Sequence, residues 1–180
     1  MRGELFQEIL ISAQYRLLAL EAEESHRNPP LVDSMVEMGM LAFSTVTFLQ
    51  IEGLPIHTED FATKLRQLLD SLASSGSSHP ALKENEPDQA ALLPGETEVF
   101  LKLKLWLFFM GYNSVLDQPK HQQFVSFGVS ETMGALGLST WTAVRDVLMA
   151  HMWVDWTHKT KGKALVESIL VNQVKSQRYE

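Results

Sequence analysis

The sequence predicts an all-α protein. Three observations carry this. Apolar residues recur at helical spacing in both halves of the chain. Glycine and proline fall between those stretches. No alternating strand pattern, Asn-Gly hairpin turn or internal repeat interrupts them. Residues 1–180 are read as a single helical domain of six or seven helices, with a helical half over 4–72, a flexible loop over 73–96 and a second helical half over 97–176.

The first helix is expected from Glu4 to Glu24, where Phe6, Ile9, Leu10, Ala13, Leu17 and Leu20 share a face. His26-Arg27-Asn28-Pro29-Pro30 breaks it, because two prolines cannot continue a helix. A second helix is expected over Leu31–Glu52, with Met35, Met38, Leu41, Ala42, Thr45, Phe48 and Leu49 inward, then Gly53 as a stop and Pro55. Thr58 opens a third, with Glu59 and Asp60 where the helix dipole favours carboxylates. Its stripe is Phe61, Leu65, Leu68, Leu69 and Leu72. Ala73 to Glu96 then lacks periodicity and reads as the flexible loop.

The second half opens with a helix capped by Thr97 and running to Leu116. Its stretch Leu105-Trp106-Leu107-Phe108-Phe109-Met110 is apolar on every side and should be the most buried part of the molecule. The turn Asp117-Gln118-Pro119-Lys120 leads to a helix over His121–Leu136, ended by Gly137. Ser139 is read as the cap of a helix carrying Trp141, Val144, Val147, Leu148 and Met152, and the last helix is placed over Thr160–Lys175.

Composition narrows the function. The chain has no cysteine, which removes disulfides, thiolate zinc sites, iron–sulfur clusters and a cysteine nucleophile. It also fits a reducing compartment, the cytoplasm first and the nucleus as the alternative. A formal net charge of -7 makes the chain a poor DNA binder on its own, since that binding neutralises phosphates. No targeting segment is expected at Met1–Glu8, where Glu4 and Glu8 interrupt the apolar residues, and no run is long enough to span a membrane. There is no phosphate loop, Gly-x-Ser-x-Gly elbow or His-Glu-x-x-His helix. No metal or other cofactor is expected.

Weaker constellations remain. His151 and Asp155 are four residues apart, which on one helix would let a carboxylate orient an imidazole for proton transfer. A surface ion pair or a satisfied core histidine competes with that reading. Trp153 and Trp156 flank the pair, and methionines are numerous at 35, 38, 40, 110, 133, 149 and 152. Such residues fill cores, and they also line adaptable apolar pockets. Tyr15, Arg16, Tyr112 and Asn113 are polar groups within apolar helices.

Several segments together resemble a known family: Gln14-Tyr15-Arg16-Leu17-Leu18; Leu41-Ala42-Phe43 with Thr47-Phe48-Leu49-Gln50; Leu105 to Gly111; Leu136-Gly137-Leu138-Ser139-Thr140-Trp141 with Val144-Arg145-Asp146-Val147-Leu148; and Trp153-Val154-Asp155 with His158-Lys159. Their order is similar to the C-terminal part of the regulatory region of fungal zinc binuclear cluster transcription factors. The resemblance implies an all-α fold, a fungal source and a region that senses small molecules or scaffolds helices. The six cysteines of the family's DNA-reading module are missing, and Thr142 and Ala143 stand where acidic residues often follow the tryptophan. The resemblance carries over no catalytic residue.

Two functions follow for such a freed regulatory domain. The first is a cofactor-free cyclase or isomerase of secondary metabolism, holding a small apolar metabolite in a shaped cavity. Its substrate-binding residues would be Trp106, Met110, Met149, Trp153 and Tyr15, and its catalytic residues His151, Tyr112 and Asp155. The pairs Trp106/Met110 and Met149/Trp153 each share a helical face, and the cavity requires those two faces to oppose each other. The second is a non-catalytic module that binds a helical regulator or a second copy of itself through an exposed apolar patch.

Overall fold

The computed structural model describes residues 31–48, 58–77 and 94–176. These form six helices and no strand: α1 (Leu31–Phe48), α2 (Thr58–Ser77), α3 (Pro94–Ser114), α4 (Pro119–Ala135), α5 (Trp141–Met149) and α6 (Asp155–Ser176). The chain is all-α, as its periodicity predicts. The helix expected over Glu4–Glu24, and with it Tyr15 and Arg16, lies outside the described residues. So does the central part of the expected loop, whose two ends are helical: α2 continues to Ser77 and α3 begins at Pro94. Proline suits that first position because the N–H it lacks would have no helical partner there. No described helix is long and apolar enough to cross a membrane.

Everything packs on α3. All six residues from Leu105 to Met110 are buried, so this helix hides its full circumference rather than one stripe. It touches each of the other five helices, α1 and α4 most extensively. One apolar core joins Met35, Leu65, Val129, Leu148 and Leu165, each on a different neighbour, to this central segment. Lys104, the one buried lysine or arginine among the described residues, reaches out to Glu131 on α4 at 3.3 Å, keeping its charge paired while its stem lies in the core.

The close approach of the neighbours has a specific cause. Gly39 on α1 faces the six-membered ring of Trp106, and Gly128 on α4 faces the ring of Phe108; a β-carbon at either position would overlap those rings. The helices therefore approach with glycine backbone directly against an aromatic ring. Gly137 does a different job. With φ of 67° it ends α4: its own N–H donates to the Gly134 carbonyl at 3.1 Å and that of Leu138 to Met133 at 2.8 Å, satisfying the last carbonyls of the helix.

Thr97, expected as a cap, lies inside α3, and three further helix ends shift around α5. Thr140, not Ser139, caps α5, its hydroxyl accepting from the Ala143 N–H at 3.2 Å. That helix ends at Met149, before Met152, and α6 begins at Asp155 rather than Thr160. The apolar run Met152-Trp153-Val154 mimics a continuing helical face, but it forms a corner between two helices.

The glycine contacts predict opposite outcomes for two substitutions in α4. Gly128→Ala should destabilise the protein by about 1–3 kcal/mol through overpacking on Phe108. Gly134→Ala, where an added β-carbon meets nothing within 4 Å, should stabilise it by about 0.5–1 kcal/mol through helix propensity. Chemical denaturation of both variants checks this.

Candidate functional site

The α5–α6 corner gathers most of the polar chemistry of the described residues. It starts from Trp153, which is buried between the rings of Phe109 (5.9 Å between centroids, edge-on), Trp141 (6.3 Å) and His158 (5.0 Å). Gly162, one turn beyond His158, leaves room for this cluster; a β-carbon there would come within 2.9 Å of Trp153. An indole this buried must place its N–H. It donates to Asp155 Oδ1 at 2.9 Å. The same carboxylate takes a fork of hydrogen bonds from Arg145, with Nε at 3.0 and 3.2 Å and Nη2 at 2.5 Å. Asp155 also heads α6, where the dipole favours an anion. The Arg145 bonds, with that of Trp153 behind them, hold its carboxyl below the ordinary carboxylate range.

His158 closes the start of α6. Its Nδ1 accepts from the Val154 N–H at 3.1 Å, while its own backbone N–H donates to the Val154 carbonyl at 2.9 Å. This reciprocal clamp resembles a capping box, with imidazole in place of the usual carboxylate. Because Nδ1 accepts, a neutral ring carries its proton on Nε2, which is buried and has no hydrogen-bond partner. Phe43 on α1 lies 5.7 Å away, ring to ring. Burial in these apolar surroundings pushes the imidazole down to about 4. His121 on α4 is also buried, with both ring nitrogens unpartnered, and is shifted the same way by burial and by Lys120 and Arg66.

Of the eight residues singled out from the sequence, seven are described; Trp106 meets His151 and Trp153 meets Asp155, but the seven do not gather around one cavity. His151 and Asp155 share no helix, because α5 has ended before one and α6 begins with the other. His151 instead holds the Val147 carbonyl at 3.0 Å through Nδ1 and stacks on Trp106, while Asp155 belongs to Arg145. The proton-transfer pair is thereby corrected to a salt bridge and a separate turn histidine. Trp106 and Met110 are core, and the Trp106 N–H donates to the Met152 carbonyl at 2.9 Å, tying α3 to the corner. Met149 is 49% exposed and faces away from them, so the two opposed faces required by the cavity do not form. Tyr112 is half-buried against the core, and Tyr15 lies outside the described residues. Asn113 is buried, donating to the Phe109 carbonyl at 2.8 Å.

An open cleft of about 620 Å³ lies elsewhere, between the start of α3, the end of α4 and α5. Leu101, Leu136, Leu138 and Val147 line it beside the Glu98–Lys102 ion pair, and none of the seven described candidate residues borders it. Among the described residues, no group of three or more histidines and carboxylates is arranged to hold a metal ion.

What the corner leaves outside is apolar. Met149, Met152 and Trp156 are exposed, Trp156 at 82%. Their backbone is held by the Trp106, Arg145, Trp153 and His158 bonds described above. The sequence offers Trp156 only as a flank of the His151–Asp155 pair, a core or pocket residue, and Arg145 only within the family resemblance; neither is among the candidate site residues. A signal for Trp156 was present: Lys159 and Lys163 follow it at three and seven residues, so its face of α6 had to be wet.

Comparison of the chain with protein-family models, with curated proteins and with solved structures returns no match.

Two outcomes follow from the buried rings. Trp153→Ala should cost about 3–5 kcal/mol of stability, as for any large core aromatic, measured by denaturant unfolding. The second outcome concerns pH. His158 is neutral when folded and titrates near its ordinary 6.5 when unfolded, so between those values the unfolded chain binds more protons. Its contribution is fully present above pH 6.5 and is lost as the pH falls towards 4, about 3 kcal/mol in all. His121 adds to the loss in the same direction. Unfolding curves should therefore weaken over that range, and His158→Gln should flatten the dependence.

Proposed function

We propose that this chain is a non-catalytic, partner-binding helical module whose contact surface is the α5–α6 corner. The observation that carries the reading is Trp156, 82% exposed, in the corner that also exposes Met149 and Met152. A tryptophan with this much apolar area in water is costly unless something covers it, and tryptophan and methionine are the side chains that interfaces favour. The frame beneath them is fixed by the Arg145–Asp155–Trp153 bonds, so the surface is organised before any partner arrives and little ordering is needed on binding.

The alternative, a cofactor-free isomerase with a shaped apolar cavity, loses its support because its wall residues separate into core (Trp106, Met110) and surface (Met149). The partner-binding reading also agrees with the resemblance to a regulatory region, in which a domain freed from its DNA-reading module would act by contacting a protein.

Trp156→Ala removes no packing within the core. It should change folding stability by no more than about 0.5 kcal/mol. A photo-crosslinking amino acid placed at Met152 in the full chain should give discrete protein adducts in cells of the source organism. Those adducts should vanish with Trp156→Ala and should not form from the same probe at Val171, an exposed apolar position near the far end of α6. Equal labelling from positions 152 and 171 would remove the reading.

A further inference from the structure

The face of α6 that carries Trp156 is also basic. Lys159 and Lys163 lie three and seven residues on, on the same side of the helix, and both are exposed. Lys161 joins them in the first part of the helix, although its ammonium is engaged by Asp117 at 2.8 Å. The helix dipole gives no reason for cations at this end, since they are favoured near a C-terminus. Local neutralisation is incomplete as well. The nearest carboxylate, Asp155, is taken by Arg145, and Lys159 makes no ion pair among the described residues; its charge only adds to the field that keeps Asp155 ionised. Lys163 meets Glu167 at 3.5 Å on an exposed surface, a contact of little worth. On a chain of net charge -7, an exposed tryptophan with two lysines along its helical face is a local reversal of sign.

We infer that the α5–α6 corner receives an acidic amphipathic segment of another protein. One apolar side chain of that segment covers Trp156 and Met152, and its carboxylates lie along α6 on Lys159 and Lys163. This rests on the partner-binding reading above and names the chemistry of the partner. Asp146 on α5 is exposed one turn before Met149 and Glu167 follows Lys163, so the positive strip runs only along the start of α6, and the partner's acids must do the same. A second copy of the chain fits poorly. A two-fold contact through this face would gather four lysines, two from each copy, into one interface. An anionic membrane fits poorly too, because two lysines on an acidic protein fall short of the clusters that hold such surfaces.

The test uses the full chain and two fluorescein-labelled synthetic peptides of about four helical turns. Both carry leucine at helical spacing, one with glutamate and the other with lysine at the remaining positions. By fluorescence anisotropy the glutamate peptide should bind about tenfold tighter or more than the lysine peptide, and the difference should shrink as salt is raised. The double variant Lys159→Glu/Lys163→Glu should weaken the glutamate peptide about tenfold, and Trp156→Ala by a similar factor. Lys175→Glu, a single reversal of the same kind at the far end of α6, should leave it unchanged. No binding of the glutamate peptide at millimolar concentration overturns the inference, as does equal affinity for both peptides. Insensitivity to the double variant overturns it too; if Trp156→Ala still abolishes binding in that case, the partner-binding reading stands and only the acidic chemistry falls. Tighter binding to vesicles of phosphatidylserine and phosphatidylcholine overturns it in favour of a lipid surface. A sedimentation dimer lost on Trp156→Ala overturns it in favour of a second copy.

Discussion

The structure depends on enclosing one helix completely. A segment such as Leu105–Met110 cannot rest on a core, because every side of it needs to be covered. Five helices surround it, and the covering is close because Gly39 and Gly128 present bare backbone to two of its three rings, Trp106 and Phe108. With larger residues there, α1 and α4 would have to withdraw by the thickness of a methyl group or more, leaving voids along the leucines between them. The positions of α1 and α4 are thus set from the inside, by ring shape, before any surface charge pair contributes.

The α5–α6 corner extends the same logic to polar groups. Phe109 reaches from the central helix into the Trp153 cluster, and several polar groups at the break between helices find partners nearby, although His158 Nε2 stays buried without one. The Trp153 indole and the Arg145 guanidinium share one carboxylate, the Trp106 indole takes a turn carbonyl, and His158 takes the N–H before the helix. The corner is held by these bonds, and its three outward side chains take no part in them. That separation between what holds and what is displayed is the physical basis for assigning it to binding rather than to turnover.

The central helix was legible in the sequence because a segment apolar all round has no phase to misjudge. The Gly137 stop was legible because a glycine after a periodic run has one common meaning. The corner was not. Met152, Trp153 and Val154 continue an apolar periodicity across a real break, and the cap that makes the break is a valine N–H held by a histidine four residues later, outside the usual Ser/Thr/Asp pattern. Treating the break as continuous helix is what brought His151 and Asp155 together on paper. Trp106, Met110 and Trp153 were read as cavity wall for a related reason: spacing tells that side chains share a face, and cannot tell whether that face meets a space or another side chain. Met149 shows the other side of the same limit, an apolar residue that spacing turns inward and the early end of α5 turns out.

The tryptophans carry one more consequence. Trp106 and Trp153 are buried, Trp141 is half-buried, and Trp156 stands in water. The ultraviolet emission of the protein is therefore a sum of interior indoles and one solvated indole at longer wavelength. A soluble quencher reaches that fourth emitter far more readily than the other three. The chain thus carries its own optical label on the α5–α6 corner, one that reports the polarity around that surface while the interior emitters report the integrity of the fold.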